Sequence, residues 1–225
     1  MMCGRYALWA INQLQQRFLI VDPMLGIRSR FNIAPSTENP VIVAARGNNQ
    51  IRIMQWGLVP HRAAGMTATN RPINARAESL REKPVFRDLV PAKRCIVPAN
   101  GFYEWKKEGT RKVPFYFHLR DDPFCALAGL YDTWQDMSGE THLSYTIITT
   151  QANVLMASVH NRMPVILSHE NEERWLSPGA LSPDAMQEIL VPCDPGAMEA
   201  HLVSSRVNSP VVDDERLILP VLGLG

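Results

Sequence analysis

The sequence predicts an α+β fold: a single domain spanning residues 1–225, built around mainly antiparallel, barrel-like β-sheets with peripheral helices. Three observations lead there. Short β-rich runs recur at close spacing, helical windows are few, and 17 prolines fall mostly between the two kinds of segment with no Gly/Ser linker or internal repeat. Taken in order, "INQLQQRFL" (residues 11–19) places Ile11, Leu14 and Phe18 at helical spacing. "PVIVAARGNNQIRIMQW" (40–56) reads as a hairpin around Gly-Asn-Asn. Further strands are predicted in "RCIVPANGFYEW" (94–105), "VPFYFHL" (113–119), "FCALAGLYDTW" (124–134) and "LSYTIITT" (143–150). "ANVLMASVH" predicts a helix ending at His160, and "SHENEERWL" and "SPDAMQEIL" each open on a Ser cap, the second with Pro at the first helical position. The acidic second half is expected to add "YTIITT" and "RLILPV" to the same sheets, since neither has an evident partner nearby.

A chain that is 46% hydrophobic and 20% charged can bury a sizeable core. No run reaches the roughly 18 apolar residues of a membrane span, and the polar start lacks the basic and apolar regions of a signal peptide. A cytoplasmic protein without a membrane partner is expected. Cys3, Cys95, Cys125 and Cys193 form no C-x-x-C pair, so the sequence suggests neither a zinc site nor a disulfide framework, and no metal or cofactor is expected. Cys95 and Cys125 lie in apolar runs and read as buried thiols.

Net charge is only +1, yet residues 1–120 carry 19 Lys+Arg against 7 Asp+Glu, and residues 121–225 carry 4 against 15. Residues 71–112 alone hold 11 basic and 5 acidic side chains. A polyanion partner accounts for this division, and so does mutual neutralisation of two halves around one core.

Several polar residues stand where chemistry is possible. In "RPINARAES", Asn74 and Arg76 share one face of an extended segment, with Ala75 opposite. Glu104, between Tyr103 and Trp105, is either a desolvated acid/base with a raised pKa or an exposed edge residue beside two lysines. "SVHNRMPVIL" sets His160 and Arg162 ahead of a Pro and an apolar run, where a His is as readily structural as catalytic. G-x-S-x-G, H-E-x-x-H, G-x-x-x-x-G-K-[ST] and G-x-G-x-x-G are all absent. The remaining set of Cys, Glu, His and Asn permits a Cys/His peptidase pair or an N-terminal nucleophile.

"CGRY", "RFNIAPS", "MQWGLVP", "INARAES", "RCIVPANGFYEWK", "SYTIITTQAN", "HNRMPVIL" and "VSSRVNSP...LILPV" occur in one order along nearly the whole chain. In this the sequence resembles the SRAP (SOS-response-associated peptidase) family. The resemblance implies a sensor and shield of abasic sites in single-stranded DNA that forms a covalent, reversible thiazolidine crosslink through an N-terminal Cys3. It implies Cys3, Asn74, Glu104 and His160 as the catalytic set, Arg5, Arg76 and Arg162 as clamps on phosphates flanking the lesion, and Thr149 as a further backbone contact. It also implies a monomer, associated with the nucleoid when bound to DNA. The family name preserves the alternative of a thiol peptidase or autopeptidase acting through Cys3 and His160.

Two departures from the family pattern stand out. The segment after "WGLVP" offers His61, Arg62 and Met66 where an aromatic wedge is common, and "HNRMP" puts Asn161 in place of an acid, which is expected to lower the pKa of His160. Finally, Met1 precedes the bulky Met2, a pair that methionine aminopeptidase does not trim. Cys3 is therefore expected to become the first residue by a start at Met2 or by a second trimming step, autocatalytic or not.

Overall fold

The computed structural model describes residues 3–24, 26–45, 47–63 and 71–221. In chain order its strands are β1 (Tyr6–Leu8), β2 (Arg30–Ile33), β3 (Glu38–Ala45), β4 (Asn48–Trp56), β5 (Asn74–Arg76), β6 (Arg94–Ala99), β7 (Gly101–Glu108), β8 (Arg111–Leu119), β9 (Cys125–Gln135), β10 (Thr141–Gln151), β11 (Arg162–Pro164) and β12 (Met198–Leu202). The α-helices are α1 (Ile11–Arg17), α2 (Pro84–Arg87), α3 (Val154–Ala157), α4 (His169–Leu176) and α5 (Pro183–Ile189).

Five strands close on themselves. β3 pairs antiparallel with β4 and with β6, β6 with β9, and β9 with β10, while β10 returns to β4 in parallel through Ser144↔Gln55 and Tyr145↔Trp56. Closure removes the unpaired edges that an open five-stranded sheet would leave. Beyond the ring, β10 carries β5 on the β4 side (Ile147↔Asn74, Thr149↔Arg76) and β11 on the β9 side (Thr149↔Pro164, Gln151↔Arg162). A second, open sheet runs in the order β12, β8, β7, β1, β2.

Strand alternation sorts the open sheet's side chains. Tyr6, Leu8, Phe102 and Phe117 enter the main core, which they share with the barrel, whereas Ala7, Tyr103 and Tyr116 form a second cluster with Val203, Val207 and Leu217 on the other face.

The predicted hairpin forms, with its turn at Gly47 (φ +79°) and with Asn48 and Asn49 already in β4, opposite Ala45 and Ala44. "RCIVPANGFYEW" divides into β6 and β7, one in each sheet. The caps of α4 and α5 are as read: Ser168 accepts from Asn171 N and Ser182 from Ala185 N. The helix expected to end at His160 is only four residues long, capped by Asn153, so His160 lies in the turn beyond it. "YTIITT" joins the barrel as expected, but "RLILPV" does not form a strand. Asp214 caps a 3-10 turn over Glu215–Ile218, which buries Leu217 in the second cluster, and β12 takes the place in the sheet.

Gly101 sits where β7 meets Tyr116: a Cβ there would lie 2.4 Å from Tyr116 Cζ and 2.5 Å from the Phe117 carbonyl oxygen. Backbone cannot yield as a flexible side chain does, so Gly101→Ala is expected to destabilise the fold by about 3 kcal/mol, at the upper end of overpacking costs. Urea unfolding of the two proteins measures it.

Candidate functional site

Cys3 lies just ahead of β1 with φ +35°, a left-handed conformation rarely adopted by a residue with a side chain. It is 1% exposed, and its backbone nitrogen donates to Glu104 Oε1 at 2.5 Å. Glu104 is 3% exposed on β7, on the same face as Phe102 and opposite Phe115 on β8. The exposed-edge alternative is thereby excluded. Tyr103 and Trp105 are not what dries the carboxyl, because both turn to the second cluster; the main core on Glu104's own face does.

Burial pushes the Glu104 carboxyl up to about 7, with the hydrogen bond from Cys3 N opposing the shift. Burial first, and then the nearby Glu104 and Cys125, push the Cys3 thiol well above its ordinary range. The arrangement is an acid/base group poised near neutral pH against a nitrogen, beside a thiol that stays protonated.

Arg5 is spent within the protein. Its Nη1 donates to Asn32 Oδ1 at 2.7 Å and to the Val207 carbonyl at 2.8 Å, and its Nη2 to the Asn208 carbonyl at 3.2 Å. It ties the start of the chain to the 3-10 turn over Ser205–Asn208.

The other expected residues gather at the far end of β10. Asn74 and Arg76 flank buried Ala75 on β5, as the alternation predicts, with Arg76 exposed. Thr149 is fully buried; its hydroxyl donates to the Ala75 carbonyl at 3.4 Å and its own carbonyl accepts from Arg162 Nη2 at 2.7 Å. Thr149 thus reaches no solvent itself and holds Arg162. His160 Nδ1 accepts from the Arg162 backbone N–H at 3.1 Å, which leaves the proton of the neutral ring on Nε2. Its pKa is lowered, and burial is the leading cause.

Three aromatics missed in the sequence connect the two groups. The Tyr6 and Tyr145 hydroxyls lie 2.8 Å apart, Asn39 Nδ2 donates to Tyr145 at 3.1 Å, and the Trp56 ring packs edge-on to Tyr6 and stacks with Tyr145. Trp56 Nε1 then donates to the Ile73 carbonyl, one residue before Asn74. Hydrophobic pattern alone assigns these rings to the core, and only their hydroxyl and indole partners mark them as a brace. Glu78, also missed, grips Arg162 through both carboxylate oxygens.

His61 is held to Asp132 through its backbone nitrogen (2.8 Å) and Nδ1 (3.0 Å), and Arg62 lies 3.6 Å from Asp88; Met1, Met2 and Met66 fall outside the described residues. Asp136, Glu140 and His142 come close enough to share a cation, but they sit on the β9–β10 turn, at the opposite end of β10 from Thr149. Among the described residues no helix is long and apolar enough to cross a membrane.

Comparison with known proteins is consistent along the chain. The model of the SOS response associated peptidase (SRAP) family matches residues 2–210. Abasic site processing protein YoaM of Bacillus subtilis strain 168 is 41% identical over 221 residues, covering 96% of this chain and 97% of YoaM. Abasic site processing protein YoqW of the same strain is 42% identical over 221 residues, covering 96% of this chain and 99% of YoqW. A crystal structure of a protein from Bacteroides thetaiotaomicron has a TM-score of 0.88 at 31% identity and covers 98% of this chain and 100% of its own.

The raised pKa of Glu104 fixes a pH dependence. Below the ordinary value of 4.5, folded and unfolded chains both hold the proton; above it the unfolded chain releases it while the folded chain resists until about 7. Stability is therefore lost as pH rises through that window. Glu104→Gln removes the loss, so the variant is expected to gain on the wild type by up to about 1.4 kcal/mol per pH unit, with a plateau above about 7. Denaturant unfolding at a series of pH values measures the difference, and a flat difference would contradict the assignment.

Proposed function

The chain belongs to the SOS response associated peptidase (SRAP) family, and from that premise we propose that it processes abasic sites in single-stranded DNA by forming a covalent crosslink at Cys3. The observation that carries the reading is the Cys3 nitrogen held 2.5 Å from a buried carboxyl whose pKa is about 7. Nitrogen chemistry at this position has an acid/base partner already in place.

The reaction needs Cys3 as first residue, with Met1 and Met2 removed. An α-amine, with a pKa of about 7.7 to 8.0, is partly neutral at cellular pH and attacks C1′ of the ring-opened sugar aldehyde. The carbinolamine loses one water to give an imine, and the thiol adds across C=N, its sulfur to C1′ and its proton to nitrogen. A five-membered thiazolidine results. Glu104 carries protons at the nitrogen and the departing hydroxyl, Asn74 orients the amine, and neutral His160 offers Nε2–H to the sugar oxygen as the ring opens. Arg76 and Arg162 hold flanking phosphates; Thr149 holds Arg162 from inside the protein, while Arg5 anchors the segment that carries Cys3. The same groups, run backwards, serve reversal of the crosslink. The protein acts as a single domain and a monomer, associated with DNA.

A thiol peptidase using Cys3 with His160 is less well supported. The buried Cys3 thiol is pushed away from the thiolate form such an enzyme needs, and His160 is occupied at Nδ1.

Incubation with an abasic single-stranded oligonucleotide is expected to give an adduct that survives a denaturing gel, with none on undamaged DNA. Cys3→Ala or chemical blocking of the N-terminus is expected to abolish it, and Glu104→Gln to slow its formation by about 10²-fold, as loss of one general acid/base does. Intact mass of the natively produced protein reports whether Met1 and Met2 are gone. A chain starting at Cys3 that forms no adduct would overturn the proposal.

A further inference from the structure

Arg162 does not wait bare for a phosphate. Its Nη1 and Nη2 donate to Glu78 Oε1 and Oε2 at 2.5 and 2.9 Å, and Nη2 also donates to the Thr149 carbonyl at 2.7 Å. Arg162 Nε is buried and has no partner among the described residues. The guanidinium is thus fixed in position, 12% exposed, with the fork that would grip two phosphate oxygens filled by two carboxylate oxygens. Glu78 is the looser partner, 48% exposed, on the 3-10 turn that follows β5.

A second place for Glu78 exists. Beside it opens a cleft of about 550 Å³ lined by Ala77, Arg81, Glu82, Thr150 and Met186. Arg81, three residues on, has no ion pair among the described residues.

Resting on the DNA reading above, we propose that Glu78 is a built-in substitute for a backbone phosphate and sets the affinity threshold of the site. DNA takes Arg162 by displacing Glu78, which turns into the cleft toward Arg81. The exchange has two consequences. Arg162 stays ordered and neutralised in the free protein, so isolated anions gain little from it. A phosphate delivered together with the rest of a strand arrives at high effective concentration and wins the exchange. Glu78 thereby acts on specificity without touching the reacting atoms. Its carboxyl is held below the ordinary range, chiefly by Arg162, so it competes as an anion at any pH where the reaction runs.

The test uses full-length Cys3→Ala protein, which cannot crosslink, and a fluorescent single-stranded oligonucleotide carrying a stable tetrahydrofuran abasic analogue. Anisotropy at fixed salt reads Kd. Glu78→Gln is expected to tighten binding about twofold to fivefold, the range of an ion pair with one half-exposed partner. Glu78→Asp keeps the charge but shortens the reach, and is expected to tighten binding by a smaller factor, which separates loss of the grip from a change in net charge. In an Arg162→Gln background, Glu78→Gln is expected to change Kd less than twofold.

Weaker or unchanged binding by Glu78→Gln would overturn the proposal and make Glu78 a mere support for Arg162. The same tightening in the Arg162→Gln background would also overturn it, as a general charge effect. If the Cys3→Ala protein fails to bind the oligonucleotide with either residue at position 78, the DNA reading itself falls, and this inference with it.

Discussion

A carboxyl group buried against the backbone nitrogen of Cys3 is the constraint around which the rest is arranged. Glu104 has left water almost completely, and leaving a carboxyl there costs free energy unless something accepts or donates to it. The donor is Cys3 N, a hundred and one residues away in sequence, and Cys3 makes this bond from a left-handed conformation. Both costs fall on the same few atoms. They are sustained by ordinary packing: β1 pairs with β7 at Tyr6↔Phe102, Phe102 stacks on Phe117 at 5.4 Å, and Arg5 anchors the chain on its other side. Strain concentrated at one point and held by well-packed neighbours is the usual situation of a group positioned for chemistry.

β10 plays the corresponding role for the polar groups gathered at its far end. It is paired on both edges over most of its 11 residues, and its changes of partner, from β4 to β5 on one edge and from β9 to β11 on the other, occur around Ile147–Thr149. Each change ends one strand and begins another. That is why Asn74, Arg76 and Arg162, from segments far apart in sequence, meet at one end of the barrel. The Tyr6–Tyr145–Trp56 brace sets the distance between this end and the Cys3 side, since its rings cannot shorten or lengthen as a chain of methylenes can.

The sequence made the fold class and the individual strands legible because period-2 burial and turn residues are local signals. The closure of the barrel was not legible: β10 pairs in parallel with β4, some ninety residues earlier, and nothing local encodes such a contact. "RLILPV" misled for the opposite reason. Its apolar residues suit a strand, but Asp214 supplies a cap and Pro220 lacks an N–H for a ladder, and the local chemistry won. Among the proposed site residues, the shared face of Asn74 and Arg76 followed from alternation and the burial of Glu104 from an aromatic setting, although the rings that flank it in sequence face away from it in space. Arg5 and Thr149 show the limit. A sequence motif marks a residue as involved without saying whether it faces the solvent or, like these two, holds another group in place.

The environment of Cys3 also orders the steps of the proposed reaction. A thiol surrounded by core side chains, with a carboxyl and a second thiol nearby, is disfavoured as a standing thiolate, so sulfur does not attack first. The nitrogen is different: its partner carboxyl titrates near neutrality and can take or return a proton with little driving-force penalty. Imine formation is therefore the step the protein assists directly. Once it has occurred, the electrophilic carbon lies within the same residue's reach, and the thiol proton has a destination on the imine nitrogen. Closure then needs no free thiolate, only proximity, and effective molarities for such ring closures are large. On this view burial of Cys3 is no obstacle to its role: it keeps the thiol from competing reactions until the nitrogen has bound the substrate.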